Sequence, residues 1–291
     1  AVAATGGFKS GADQLGLAQP SVHRAVRDLE SLLGVSLFER TSRGISPTRL
    51  GAGFALEATL VLKEVDNIGD DLDIARGRFE GRIAVGSLAL GQSDLLPLAI
   101  TEVSRRYPRA DFFLQDGSFE QLHHALQHGE IDMVIGARRL HPEPGLVQEV
   151  LFTDQLSVMA RAGHPLAGRT DIQIADLAAW PWILPRPGTP TRAVSDAIFE
   201  GSGYVPATGV IETGSMLMVR GLLAASDRLT VLSRRQVRVE EQAGLLVSLD
   251  FHPPGMAREI ALMHRLDWRP TQLQEVLIQQ LRDLAPDSPA D

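Results

Sequence analysis

From Thr48 to Arg76 the chain carries no proline, and Phe54, Ala58, Val61, Val65, Ile68, Leu72 and Ala75 recur at spacings of 4, 3, 4, 3, 4 and 3. Apolar side chains alternating in this way form the a/d seam of a coiled coil, sustained here over about three heptads. Thr48 is a residue type suited to capping the start of such a helix. At ~1.5 Å per residue the helix extends roughly 40 Å. A rod of that length divides the chain into a head at 1–49, a linker at 50–79 and a body at 80–291. The alternative is a helix packed on its own domain, and Gly69 and the small Ala58 weaken the seam. The seam reading predicts that two chains pair through Phe54, Val61, Val65, Ile68 and Leu72.

The head contains the stretch Gln19 to Glu30, which reads as a helix with two legible faces. Val22, Val26 and Leu29 fall on one stripe at helical spacing. Ser21, His23, Arg24 and Arg27 occupy the other face, with side chains able to reach phosphates and base edges in a major groove. Two arginines on an amphipathic helix also fit a plain solvated helix, so the surroundings decide. Upstream, Ser10 to Ala18 reads as a short helix broken at Gly16 and followed by a turn. Gln19 then opens the second helix, and Pro20 sits where a missing N–H costs nothing. The pair makes a helix-turn-helix. Downstream, Leu37 to Thr48 reads as a hairpin with Gly44 near its tip and Arg40 and Arg43 along it, a wing suited to backbone or minor-groove contact. The candidate DNA-contacting residues are therefore Gln19, Pro20, Ser21, His23, Arg24, Arg27, Arg40 and Arg43.

Charge is distributed accordingly. The chain carries a formal net charge of −8, which argues against coating nucleic acid through bulk charge, whereas residues 1–50 hold six Lys/Arg against four Asp/Glu. A mildly basic head on an acidic body fits a small DNA-binding module attached to a larger domain.

In the body the pattern changes to short strands alternating with helices. Arg82 to Gly86, Phe112 to Leu114 and Ile131 to Gly136 read as strands, separated by helices at Leu95 to Tyr107 and Phe119 to Gln127. A second series runs from Leu156 to about Ile260, with strands at Trp182 to Leu184, Val210 to Glu212 and Leu229 to Ser233 and helices at Thr191 to Glu200 and Met216 to Ala225. Such alternation is the signature of a parallel α/β sheet. Two subdomains in succession leave a cleft between them, with ligands expected at the carboxyl ends of the strands. That places Ser87, Leu88, Gly136, Ala137, Arg138, Gly188, Thr189, Ser215, Met216 and Ser233 as candidate effector contacts. Hydroxyls, backbone amides at a helix start and one or two arginines suit a small polar or anionic molecule. Turn chemistry explains the same glycines and serines taken singly, and Arg138 also fits a surface ion pair.

Other chemistries have little to stand on. There is no cysteine, so disulfides, thiolate metal sites and a Cys nucleophile are excluded. Glu120, His124 and His128 share a helix face, yet an exposed polar face accounts for them, and no metal or cofactor is expected. The chain lacks G-x-S-x-G, H-E-x-x-H and a P-loop, so no enzyme is expected. With no apolar run of about 18 residues and no charged-then-apolar leader, the expectation is a cytoplasmic protein without a membrane partner.

The segments Phe8 to Ala12, Ala18 to Val22, Leu29-Glu30, Leu33 to Val35, Leu37 to Arg40 and Pro47-Thr48 together resemble the LysR-type transcriptional regulators, and the resemblance continues to the C-terminus. It implies a winged helix-turn-helix, a linker helix that pairs subunits, and a two-lobed effector domain of the type 2 periplasmic-binding-protein fold. In that fold the chain crosses near Val158 and returns near Leu262, giving a first lobe of about 80–157 and 262–291 and a second of about 158–261. The family has a helix ahead of the helix-turn-helix, whereas this chain opens at Ala1-Val2-Ala3-Ala4, so the first helix is expected to be truncated. The segments 116–117, 129–132, 180–190 and 227–233 look like a branch containing regulators of a galactose-binding protein and of aromatic-acid catabolism, which implies a sugar or an aromatic acid as effector. The expected function is sequence-specific binding of operator DNA, switched by a small molecule between the lobes. The implied partners are double-stranded DNA, a second and further copies of the chain as homodimer or homotetramer, and RNA polymerase. The alternative is a cytosolic small-molecule-binding protein of the same fold that does not bind DNA in this truncated form.

Overall fold

The structure, a computed structural model, describes residues 1–42, 44–76, 80–141, 143–206 and 209–286. The chain forms two compact units, Ala1–Gly69 and Asp70–Asp291.

In the first unit, α1 (Val2–Thr5), α2 (Phe8–Leu15) and α3 (Gln19–Leu33) precede a hairpin of β1 (Phe38–Thr41) and β2 (Gly44–Pro47), and α4 (Arg49–Ala75) follows. Gly16 closes α2 with φ 64°, a left-handed conformation that glycine adopts without a Cβ penalty, and this turns the chain toward α3. Pro20 lies in the first turn of α3, where its missing N–H breaks no helical bond. Val2, Ala12 and Val22 form the small core, with Phe8, Val26 and Phe38 packed around it. The apolar stripe of α3 thus faces α1 and α2.

α4 is one continuous helix of 27 residues. Its opening is fixed by Thr48, whose Oγ1 accepts the N–H of Gly51 at 3.0 Å while donating to the carbonyl of Ser36 at 2.9 Å. The unit boundary falls within α4, after Gly69.

The second unit continues with β3 (Glu80–Ser87), α5 (Ala89–Ser93), α6 (Leu95–Arg106), β4 (Arg109–Asp116), α7 (Phe119–Gln127), β5 (Met133–Ala137) and the long β6 (Leu146–Arg161). After it come α8 (Ile174–Ala178), β7 (Ile183–Leu184), α9 (Pro190–Ala197), β8 (Ile211–Glu212), α10 (Met216–Ala225) and β9 (Thr230–Ser233). A 3-10 turn (Arg234–Val237), α11 (Arg238–Gln242), β10 (Leu246–Ser248), β11 (Ala257–Arg265) and α12 (Gln272–Leu284) complete it. The main sheet runs β10-β6-β11-β5-β3-β4, with β9 also paired to β6.

β6 builds both lobes. Residues 146–155 pair with β11, whereas Leu156 to Met159 pair with β9 and Met159 to Arg161 with β10. The sheet is mixed: β3 is parallel to β4 and β5, but β11 is antiparallel to β5 and β6. A wholly parallel sheet is therefore not what forms. The reason is topological, since β6 leaves the first lobe and β11 returns to it, and adjacent strands making opposite journeys must be antiparallel.

The strand pairing of β6 and β11 shows where the chain passes from one part of the sheet to the other. Pairing changes hands after Gln155, and β11 starts at Ala257 opposite Gln155. Val158 is already in the second-lobe core with Val231 and Trp182, while Ile260 lies in the first-lobe core with Phe152 and Leu262. Residues Ala257 to Ala261 thus belong to the first lobe's sheet. On one face of that sheet α6 and α12 pack Leu95, Leu96, Ala99 and Val103 against Leu273, Leu277 and Leu281. The other face is covered by α7 through Leu122, Ala125 and Leu126.

In the second lobe the buried His164 accepts the N–H of Leu166 on Nδ1 at 3.0 Å, which leaves Nε2 to donate to the carbonyl of Asp227 at 3.3 Å. Burial is the main cause that pushes its pKa below 6.5. The fold therefore favours the neutral ring, and its contribution is complete above the unfolded value and lost as pH falls below about 6.5. Chemical denaturation across roughly pH 5 to 8, the range in which histidine titrates, is expected to show a shallower loss of stability on the acid side in His164→Asn than in the parent. Identical slopes would contradict this.

Candidate functional site

Two sites were expected, and each is built by one unit. On α3, Gln19, Pro20, Ser21, Arg24 and Arg27 are exposed on the side away from Val22. None of the ion pairs among the described residues involves Arg24 or Arg27, so both guanidiniums are available to phosphate or a base edge. Gln19, Pro20, His23, Arg24 and Arg27 line one shallow concavity. His23 differs from its neighbours: its ring is half-buried and lies 4.7 Å from the ring of Phe8 on α2. Arg40 is exposed on β1, opposite Ile45 of β2. Arg43 lies outside the described residues.

Sequence reasoning missed the residues that hold the wing in place. The N–H groups of Leu37 and Phe38 both donate to Oε1 of Glu30, at 2.7 and 3.1 Å, which ties the start of the hairpin to the last turns of α3. On the far side, the N–H of Thr48 donates to the carbonyl of Leu37 at 2.9 Å. Gly51 then passes so close that a Cβ there would stand 1.8 Å from the Leu37 carbonyl oxygen. The spacing Thr48-x-x-Gly51 was the available signal, a capping residue followed three positions on by a residue without a side chain.

In the second unit, Ser87 is buried and its hydroxyl donates to the carbonyl of Leu88 at 3.2 Å. Leu88 covers Gly136, where a Cβ would meet its side chain at 2.5 Å, and Ala137 is buried beside it. Arg138 is paired with Glu259. On the second lobe, Thr189 accepts the N–H of Arg192 and caps α9, and Ser215 accepts the N–H of Met218 and caps α10. The lobes meet at Gly188, whose carbonyl accepts Nη1 of Arg139 at 3.1 Å. Of the expected residues, Gly188 is thus in contact with the opposite lobe, through Arg139, while Arg138 is paired within its own lobe.

Ser233 is placed differently. It is buried, and its hydroxyl donates to Oδ1 of Asp154 at 2.6 Å. Asp154 in turn accepts Nε of Arg258 at 3.0 Å, and Arg258 reaches Thr191 of α9 and Oε1 of Gln236. Gln236 also contacts Met216 through Nε2. Asp154 and Arg258 are cross-strand partners where β6 and β11 exchange lobes. Burial pulls the pKa of Arg258 down, against the pull of the Asp154 carboxylate. A charged residue inside an apolar strand was the sequence signal, visible at Asp154 between Phe152 and Leu156.

Among the described residues there is no cluster of three or more His, Cys, Asp or Glu arranged to hold a metal ion. His124 and His128 stack on each other with ring centroids 3.9 Å apart, and His123 stacks on Phe119. Among the same residues no helix is long and apolar enough to cross a membrane.

Comparison with known proteins bears on both units. Residues 1–52 match the family described as "Bacterial regulatory helix-turn-helix protein, lysR family", and residues 76–286 match "LysR substrate binding domain". The chain is 36% identical over 255 residues to the HTH-type transcriptional regulator GalR of Pseudomonas putida, covering 87% of this chain and 64% of that protein's length. It is 27% identical over 277 residues to the HTH-type transcriptional regulator PcaQ of Agrobacterium fabrum, covering 94% of this chain and 88% of that one. A full-length OxyR variant from Pseudomonas aeruginosa shares the fold with a TM-score of 0.72 and 24% identity, over 94% of this chain and 89% of its own.

Proposed function

The chain belongs to the LysR family of transcriptional regulators, and from that premise we propose that α3 and the β1–β2 wing read operator DNA while a small molecule held between the lobes of the second unit switches the reading. The observation that carries the proposal is the face of α3. Arg24 and Arg27 stand exposed and without an ion-pair partner beside Gln19, Pro20 and Ser21, while on the opposite stripe Val22 is buried and Val26 and Leu29 are half-buried. Arg40 on the wing supports a backbone contact, and Arg43 belongs to the same proposal. His23 acts from its place against Phe8.

Two copies pair along α4. Phe54, Val61, Val65, Ile68 and Leu72 are all exposed in the single chain, with Val61, Val65 and Ile68 at 62%, 58% and 60%. A stripe of exposed apolar side chains at heptad spacing needs a partner helix. Further pairing into a tetramer and contact with RNA polymerase at a promoter extend the same reading. An unpaired carboxylate in the seam is costly to desolvate. Val65→Asp and Ile68→Asp together are therefore expected to shift the chain toward monomer in sedimentation, and unchanged association would place the interface elsewhere.

The effector is a sugar or an aromatic or other organic acid, contacted by Ser87, Leu88, Gly136, Ala137, Arg138, Gly188, Thr189, Ser215, Met216 and Ser233. A molecule that binds one arrangement of the lobes better than another shifts the population toward it, and with it the way paired heads hold their half-sites.

Selection of genomic fragments by the full chain, followed by footprinting, tests the function. Two protected half-sites on one face of the duplex, spaced by about 10 base pairs or a multiple, are expected from paired recognition helices. Recovery of fragments without a common sequence would contradict it.

A further inference from the structure

Asp94 stands where a helix cap is expected, at the N-terminus of α6. Aspartate in that position ordinarily turns its carboxylate back to accept the N–H of the second or third helical residue. Here it makes no such bond. The third helical residue is Pro97, which has no N–H, so within α6 only Leu96 is left to satisfy it.

The carboxylate turns instead to the second lobe. Oδ2 lies 2.7 Å from Nη1 of Arg235 and Oδ1 lies 3.3 Å from Nη2 of Arg238. Asp94 is only 7% exposed, and Oδ1 is buried without a hydrogen bond. The guanidinium of Arg235 also lies over the ring of Phe152, 5.0 Å from its centroid. Arg235 belongs to the 3-10 turn after β9 and Arg238 starts α11, both in the second lobe, whereas α6 and the Phe152 side chain belong to the first.

We propose that Asp94 is a positioning residue that clasps the two lobes together through Arg235 and Arg238, and that it has two mutually exclusive partners. With the lobes together the carboxylate is neutralised by the two arginines. With the lobes apart it loses both, becomes hydrated and turns back to cap α6 at Leu96. Separating the lobes gives up two charge-assisted contacts of Asp94 and returns only hydration and the single N–H of Leu96, so the clasp holds the lobes together without help from a ligand. An effector then acts on a protein whose lobes are already drawn together, and its effect on DNA depends on whether it keeps or breaks the clasp. Only this last step rests on the function proposed above.

The absence of cysteine makes the test direct. Spin labels are placed on the full chain at Gln127→Cys in the first lobe and Glu200→Cys in the second, both exposed positions. A control pair, Glu102→Cys with Gln127→Cys, lies within the first lobe. Labelled chain is diluted into excess unlabelled chain so that each assembly carries one labelled copy. Distances are recorded by pulsed dipolar spectroscopy without DNA or ligand. Asp94→Asn is expected to lengthen and broaden the inter-lobe distance by more than the width of the parent distribution while the control pair is unchanged. Arg235→Gln with Arg238→Gln is expected to do the same, and Asp94→Glu to restore the parent distance in part. An inter-lobe distribution that stays at the parent distance in the folded Arg235→Gln, Arg238→Gln variant would overturn the proposal, whatever binds between the lobes.

Discussion

Gly51→Ala is expected to destabilise the winged head by about 3 kcal/mol, at the upper end of what overpacking costs. The Cβ would stand 1.8 Å from the carbonyl oxygen of Leu37, which is backbone and cannot rotate away. That carbonyl also accepts the N–H of Thr48, so the clash disturbs the bond that sets the wing against α4. Gly53 supplies the control. It lies in the same helix with nothing within 4 Å of its Cβ position, and Gly53→Ala should stabilise by roughly 0.5–1 kcal/mol through helix propensity alone. Hydrogen exchange at the amides of Phe38 and Thr48, with denaturant unfolding, separates the two variants. Equal behaviour of both would show that the close approach is unimportant.

The second large effect concerns Arg258 and Asp154. Their side chains are 10% and 2% exposed, and the pair is bonded to Ser233, Gln236 and Thr191. Removing one partner strands the other charge in a low-dielectric site, which typically costs about 3–5 kcal/mol. Arg258→Met and Asp154→Leu should therefore each be severely destabilised. Combining them removes both charges, so the double variant should be more stable than either single one. Denaturation midpoints give the comparison, and simple additivity of the two losses would mean that the charges do not depend on each other.

Those two sites show which parts of the molecule were open to sequence reasoning. The faces of α3 could be read because Val22 and Val26 recur with the period of the helix itself. The exposed apolar stripe of α4 and the capping role of Thr48 were local in the same sense. Gly51 was passed over because the carbonyl it approaches lies in a different element, and the spacing Thr48-x-x-Gly51 marks a helix start without saying what the glycine faces. Arg258 and Asp154 are 104 positions apart, so only the pairing of β6 with β11 makes them neighbours. The direction of β11 was equally hidden, since alternation of strands and helices gives their order and not the sense in which a returning strand runs. Ser233 was legible as the end of a strand at the lobe boundary, but the direction of its hydroxyl depends on Asp154 on a neighbouring strand. Asp94 was not singled out at all, since Arg235, to which it is bonded, stands 141 positions further along the chain.

The most direct measurement is the affinity of the Arg24→Ala, Arg27→Ala chain for a DNA fragment selected by its parent, taken over a series of salt concentrations. Loss of a base contact typically costs about 1–3 kcal/mol, so removal of both arginines is expected to weaken binding by roughly tenfold to more than a thousandfold. Any of the two that meets a phosphate should also flatten the salt dependence by about one unit. Parental affinity with a parental salt slope would contradict the claim that α3 reads the DNA.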